Sequence, residues 1–202
     1  MKIGISINEV LRDTLTQLDY TYSKYINDKS DVKKEDITSF DLLNHFKFSS
    51  KKELYNFLYD EAALEIFGHA DQLLENLMTH FNIFLVDIEE GEEHTIELVS
   101  REYLKSIPAT LFFLSKLGCR ATNLRFVKQY EEEWGDLDIL ITANPITLQN
   151  KPEGKLSVKI KAPYNNSVEA DYELEDIFEF IKDGYIREKI LNGESITKTE
   201  KE

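Results

Sequence analysis

The chain has 202 residues, enough to bury a real core and to form one α/β domain or one domain with a small insertion. Its 38 acidic residues outnumber 24 basic ones for a net charge of -14, which repels phosphate backbones over a Debye length and argues against direct nucleic-acid binding. Cys119 is the only cysteine, so no intrachain disulfide can form; no run of about 18 apolar residues reaches across a membrane and no secretion signal is visible, so a cytoplasmic protein is expected.

Ile3, Ile5 and Ile7, separated by the small Gly4 and Ser6, suit a strand covered on both faces, as in the middle of a parallel sheet. A helix is predicted over 10–27, with Leu11, Leu15, Leu18, Tyr22 and Tyr25 on one apolar stripe and Arg12, Asp13, Gln17 and Lys24 mostly off it. The polar stretch from Asp28 to Asp36 reads as a loop. After it come a short helix at 39–46, a helix opened by a capping box at Ser50-Lys51-Lys52-Glu53 and running to about 66, and a third at 70–82. Together they predict a compact helical unit over roughly 39–82.

The apolar run 82–86 and the acidic turn 87–93 lead to a second strand, Thr95–Val99, which ends at Ser100. A helix follows, with Pro108 tolerated in its first turn and Gly118 as its stop. Further strands are predicted at 123–127, 137–142 and 156–161, then a helix at 172–182 and a last helical piece to about 191. Alternating strands and helices predict an α/β fold, a doubly wound, Rossmann-like parallel sheet of about five strands. The terminal stretch 197–202 is polar and is expected to be loose.

The opening strand and turn at 3–11, the helical segment before the second strand, Leu98-Val99-Ser100-Arg101 and Asp138-Ile139-Leu140-Ile141-Thr142-Ala143-Asn144-Pro145 together resemble the haloacid dehalogenase superfamily. The resemblance is to its small 5'-nucleotidase-like phosphatase branch. It implies an α/β core over 1–13 and 93–196 and a helical cap inserted over 14–92. It also implies chemistry at fixed places. In that family the first strand ends in two aspartates one residue apart; the first attacks phosphorus and binds Mg²⁺, and the second handles the leaving-group proton. Ser6 and Asn8 stand at those positions here. A serine hydroxyl without a base is a poor nucleophile and a poor ligand for a hard dication, and asparagine cannot exchange a proton usefully. Ser100 matches the second motif, Lys128 is the best match for the basic third motif, with Arg125 or Arg101 as stand-ins, and Thr142-Ala143 replaces the acidic fourth motif.

Catalytic residues, cofactors and a metal are therefore not expected, and Ser6, Asn8, Ser100, Lys128, Thr142 and Ala143 are read as a vestigial pocket. Ser100 and Lys128 remain a candidate anion-binding pair. His45, His69, His80 and His94 are scattered without metal-ligand spacing. In Leu111-Phe112-Phe113-Leu114 part of the apolar surface could face a partner. The expectation is an inactive phosphatase-like protein, its partners the other proteins of a larger assembly such as a virus or bacteriophage particle. The alternatives are a Mg²⁺-dependent 5'-nucleotidase with a rearranged acid set, or a module that senses phosphate or a nucleotide.

Overall fold

A computed structural model of the protein describes residues 1–26, 32–91 and 93–196; the polar tail 197–202 and part of the expected loop, 28–31, lie outside the described residues. Six strands form one parallel sheet: β1 (Lys2–Ser6), β2 (Thr95–Arg101), β3 (Leu124–Val127), β4 (Ile139–Thr142), β5 (Leu156–Ile160) and β6 (Tyr172–Leu174). Their order is β3-β2-β1-β4-β5-β6. The helices are α1 (Thr14–Ile26), α2 (Lys51–Asn56), α3 (Leu77–Glu90), α4 (Ser106–Lys116), α5 (Pro145–Gln149), α6 (Phe178–Ile181) and α7 (Gly184–Leu191). No helix among the described residues is long and apolar enough to cross a membrane.

The expected doubly wound sheet is present, with six strands where about five were anticipated. The extra one lies in the segment predicted as a helix over 172–182. Tyr172-Glu173-Leu174 alternates buried, exposed, buried and pairs with β5, and only Phe178–Ile181 is helical. Three residues are too few for a period of two to be told from a helical face.

The centre of the sheet is β1, with Ile3 and Ile5 paired to Ile96 and Leu98 on one side and to Ile139 and Ile141 on the other. Side chains alternate along a strand, so Ile3 and Ile5 enter the main core while Gly4 faces the opposite side. There a smaller cluster of Val99, Val127, Trp134, Leu137 and Leu140 packs. A Cβ on Gly4 would lie 2.2 Å from Leu137 Cδ1 and 2.9 Å from Leu140 Cδ1, so only glycine leaves room for these leucines where they sit.

Helix boundaries depart from the predictions in ways that shape the site. The first helix begins at Thr14, four residues late, because the amides of Leu11 and Arg12 both donate to Ile7 O and Glu9 adopts a left-handed backbone with φ 57°. Arg12, predicted off the apolar stripe, is wholly buried in this turn, whereas Tyr25, predicted on the stripe, is exposed. The predicted helix at 39–46 shrinks to a 3₁₀ turn, Leu42–Asn44.

Ser50 caps α2 as expected, its side chain accepting from Glu53 N while Glu53 Oε2 accepts from Ser49 N. Beyond Asn56 the chain widens into two π-helical stretches, Phe57–Glu61 and Leu64–Gly68. Such widenings occur often at functional sites. Finally, α3 starts at Leu77 and absorbs the apolar run 82–86, with Phe81, Phe84, Leu85 and Ile88 buried as it packs on β2 and α6.

Candidate functional site

The carboxyl ends of β1, β2 and β4 converge where the strand order reverses, the usual place for a ligand in an open α/β sheet. A cavity of about 130 Å³ lies there, and its lining includes Ser6 at the end of β1, Asn8 and Glu9 just after it, Ser100 and Arg101 from β2, and Thr142 from β4. The helical segment closes it from above: Leu58 and Tyr59 come from the first π-helical stretch and Phe67 from the second. A wider cavity of about 570 Å³ adjoins it and shares Phe40, Leu58, Tyr59, Arg101, Tyr130 and Tyr164 with it.

Asn8 is held by a buried polar network. Arg12 Nη2 donates to Asn8 Oδ1 at 2.5 Å and to Glu102 Oε1 at 2.7 Å, an ion pair with both side chains 0% exposed. Thr14 Oγ1 donates to the same Asn8 oxygen at 2.8 Å. Arg12 Nη1 donates to Thr110 Oγ1 and to Phe67 O, and the guanidinium lies over the rings of Phe67 and Phe113. Asn8 Nδ2 in turn donates to Ser100 Oγ, which donates to Glu102 Oε1 at 2.9 Å. The network thus ties the end of β1 to β2, α4 and the second π-helical stretch.

Ser6 Oγ is different, being buried and without a hydrogen-bond partner. Thr142 Oγ1 accepts from Asn144 N, and Asn144 caps α5 through Ile146 N and Thr147 N. Ala143 contributes only its carbonyl, which accepts from Asn165 Nδ2. Lys128, the predicted basic residue, has an exposed side chain and is not part of the cavity lining. Arg101 occupies the cavity wall instead, so Ser100 and Arg101, not Ser100 and Lys128, are the pair brought together. Arg125 is used elsewhere, bound to Glu97 and to the carbonyls of Glu132 and Glu133.

Arg101 sits among tyrosines. Its Nε donates to Lys128 O, Nη1 to Tyr59 Oη and Tyr130 Oη, and Nη2 to Tyr103 Oη. The guanidinium lies 4.5 Å from the Tyr130 ring centre and 4.6 Å from that of Tyr103. Burial pushes the Tyr130 hydroxyl up to about 12 and the Tyr59 hydroxyl higher still, against the pull of Arg101, so both carry their protons at neutral pH.

Two carboxyl groups line the cavity that the sequence did not single out. Glu133, in the 3₁₀ turn Tyr130–Glu133, accepts from Thr147 Oγ1 at 2.8 Å, and burial raises its carboxyl to about 7 despite Arg101 and Arg125 nearby. Glu9 accepts from Leu15 N and lies 2.7 Å from Lys34 Nζ; burial raises it too, opposed by Lys34. Glu133 was hidden in an acidic stretch that looks solvated, and Tyr59 in a helix that looks merely amphipathic. The one local signal was the charged pair Arg101-Glu102 directly after a buried strand.

The Mg²⁺ that the resemblance implies does not fit these residues. Asn8 Oδ1 already accepts from a guanidinium, which repels a dication, Ser6 and Thr142 at the carboxyl ends of β1 and β4 offer only neutral hydroxyls, and the nearby Glu9 carboxyl is engaged by Lys34 and by Leu15 N. Asp138 lies at the opposite end of β4, where its Oδ2 accepts from Lys2 N. Among the described residues no group of three or more His, Cys, Asp or Glu is placed to hold a metal.

No protein-family model and no curated protein matches this sequence. Solved structures do. A protein of Burkholderia xenovorans LB400 described as a haloacid dehalogenase-like hydrolase superposes with a TM-score of 0.56 at 9% identity, over 91% of this chain and 96% of that one. A dehalogenase solved with an intermediate complex gives 0.52 at 11% identity, over 89% and 94%. A HAD-superfamily hydrolase from Ehrlichia chaffeensis gives 0.50 at 12% identity, over 93% and 96%. At such identities the likeness establishes the fold: a haloacid dehalogenase-like α/β domain over nearly the whole chain.

Proposed function

We propose that this haloacid dehalogenase-like fold serves binding and assembly, and that it does not hydrolyse phosphate esters. The observation that carries the reading is the state of Asn8. Its oxygen is locked by Arg12 and Thr14 where the family's chemistry needs an ionisable acid. Ser6 supports it, since its hydroxyl has no neighbouring base to take its proton.

The purified chain with Mg²⁺ and p-nitrophenyl phosphate is expected to turn over no faster than its Ser6→Ala variant. Turnover that survives repurification and disappears in Ser6→Ala would overturn the proposal.

A role inside a larger assembly is favoured by α4, where Leu111 and Phe112 are 46% and 43% exposed while Phe113 and Leu114 beside them are buried. Phe112 packs near Gly68 and against the ring of His69, next to the exposed Leu64, so the apolar surface is continuous. In a native extract the chain should migrate well above its monomer mass, and Leu111→Glu with Phe112→Glu should return it to that mass. Migration of the unaltered chain as a monomer removes the assembly role and leaves the absence of hydrolysis standing.

A further inference from the structure

We propose that the inner cavity binds a compact arene carboxylate of about the size of benzoate, its ring among the apolar side chains and its carboxylate on Arg101 and the cavity hydroxyls. The inference rests on the reading of the site as one that binds without hydrolysis.

The first argument is an excess of donors. Arg101 uses four of its five N–H groups, on Lys128 O and three tyrosine hydroxyls, and among the described residues no carboxylate lies within ion-pair distance of it. Tyr59 and Tyr130 accept from Arg101, which leaves the proton of each hydroxyl to donate. Ser6 Oγ is a third hydroxyl on the same cavity, buried and unpartnered. A wall of one fixed cation and three hydroxyl donors with nothing to donate to is built for an anion.

The second argument is the sign and number of charges. One guanidinium balances one negative charge, and Glu9 and Glu133 line the same cavity. Lys34 Nζ lies 2.7 Å from Glu9 Oε2 and offsets that carboxylate, and burial favours the protonated form of Glu133, so Arg101 is left to balance one added negative charge and a monoanion fits better than a phosphate dianion.

The third is size and surface. A volume of about 130 Å³ approaches that of an engineered cavity of roughly 150 Å³ that takes up benzene. Leu15, Leu18, Ile37, Leu58 and Phe67 supply the apolar walls. The adjoining wider cavity, which shares Arg101, gives the ligand a way in.

Calorimetric titration of the full chain tests this with benzoate, its neutral isostere benzamide, and inorganic phosphate. Benzoate is expected to bind saturably with a dissociation constant of about a millimolar or tighter, with benzamide at least about tenfold weaker and phosphate giving no heat. Arg101→Met should abolish benzoate binding. Tyr59→Phe, which keeps the ring and removes one donor, should weaken it by about three- to tenfold without shifting the melting temperature of the free protein by more than a few degrees. No benzoate binding up to about 10 mM, equal binding of benzamide, tighter binding of phosphate, or an unaltered affinity in Tyr59→Phe overturns the proposal. Such a failure leaves the absence of phosphatase turnover, measured separately, untouched.

Discussion

Arg12→Met is expected to lower the free energy of unfolding by about 3–5 kcal/mol, the largest effect of any single substitution at the site. The guanidinium is fully buried and joins four parts of the chain: Asn8, Phe67 O, Glu102 and Thr110. Removing it strands the Glu102 carboxylate in the core, where Oε2 already lacks a partner. The reciprocal Glu102→Leu should cost a similar amount by stranding the guanidinium. The double variant should be less damaged than either single one, because replacing a whole buried pair by apolar groups is often close to neutral. Urea denaturation followed through the fluorescence of Trp134, the chain's one tryptophan, measures all three. Additive losses in the double variant would show that Arg12 and Glu102 are not energetically coupled. The network around Asn8 would then no longer be what stabilises this corner.

Glu133→Gln is expected to stabilise the protein above neutral pH by up to about 3 kcal/mol and to leave it nearly unchanged near about pH 4. Folding raises this carboxyl from 4.5 to about 7, chiefly by burial. The native state therefore binds the proton more tightly than the unfolded chain does. Its contribution to stability is complete below about 4.5 and is lost as pH rises through 7, when a buried charge must form. Glutamine retains an oxygen to accept from Thr147 Oγ1 and has no charge to form. The difference in unfolding free energy between the two proteins should thus open between about pH 4 and pH 7. Glu9 is shifted in the same direction and persists in both, so some loss of stability with rising pH remains in the variant. A difference that stays constant across this range would mean that Glu133 ionises without cost, and that it is hydrated in solution.

Much of the fold was legible because it follows from short-range regularities. The apolar β1 and β2, the Ser50 cap and the stop at Gly118 are where the sequence puts them, and strands alternating with helices leave a parallel sheet as the natural arrangement. The errors fell where local signals are ambiguous. The helix predicted to end at 82 runs on to Glu90 because the acidic residues after the apolar run 82–86 read as a turn, and three residues at 172–174 are too few to declare a period.

What the sequence by itself determined, then, is the order of elements and the residues at the end of the first strand: Ser6 and Asn8 are facts of covalent structure. Only the tertiary structure decided what those residues touch. Arg12 is polar by composition, and it is buried because the turn after β1 aims it at Glu102 from a segment 90 positions away. Lys128 and Arg101 are equivalent cations in the sequence, yet one is exposed and the other is enclosed by tyrosines brought from before α4 and after β3. Glu133 differs from its acidic neighbours through burial beside Thr147. Hydrophobic periodicity encodes which face of an element turns inward. Charge pairing and burial at a site are settled by contacts between elements distant in sequence, and no local pattern carries them.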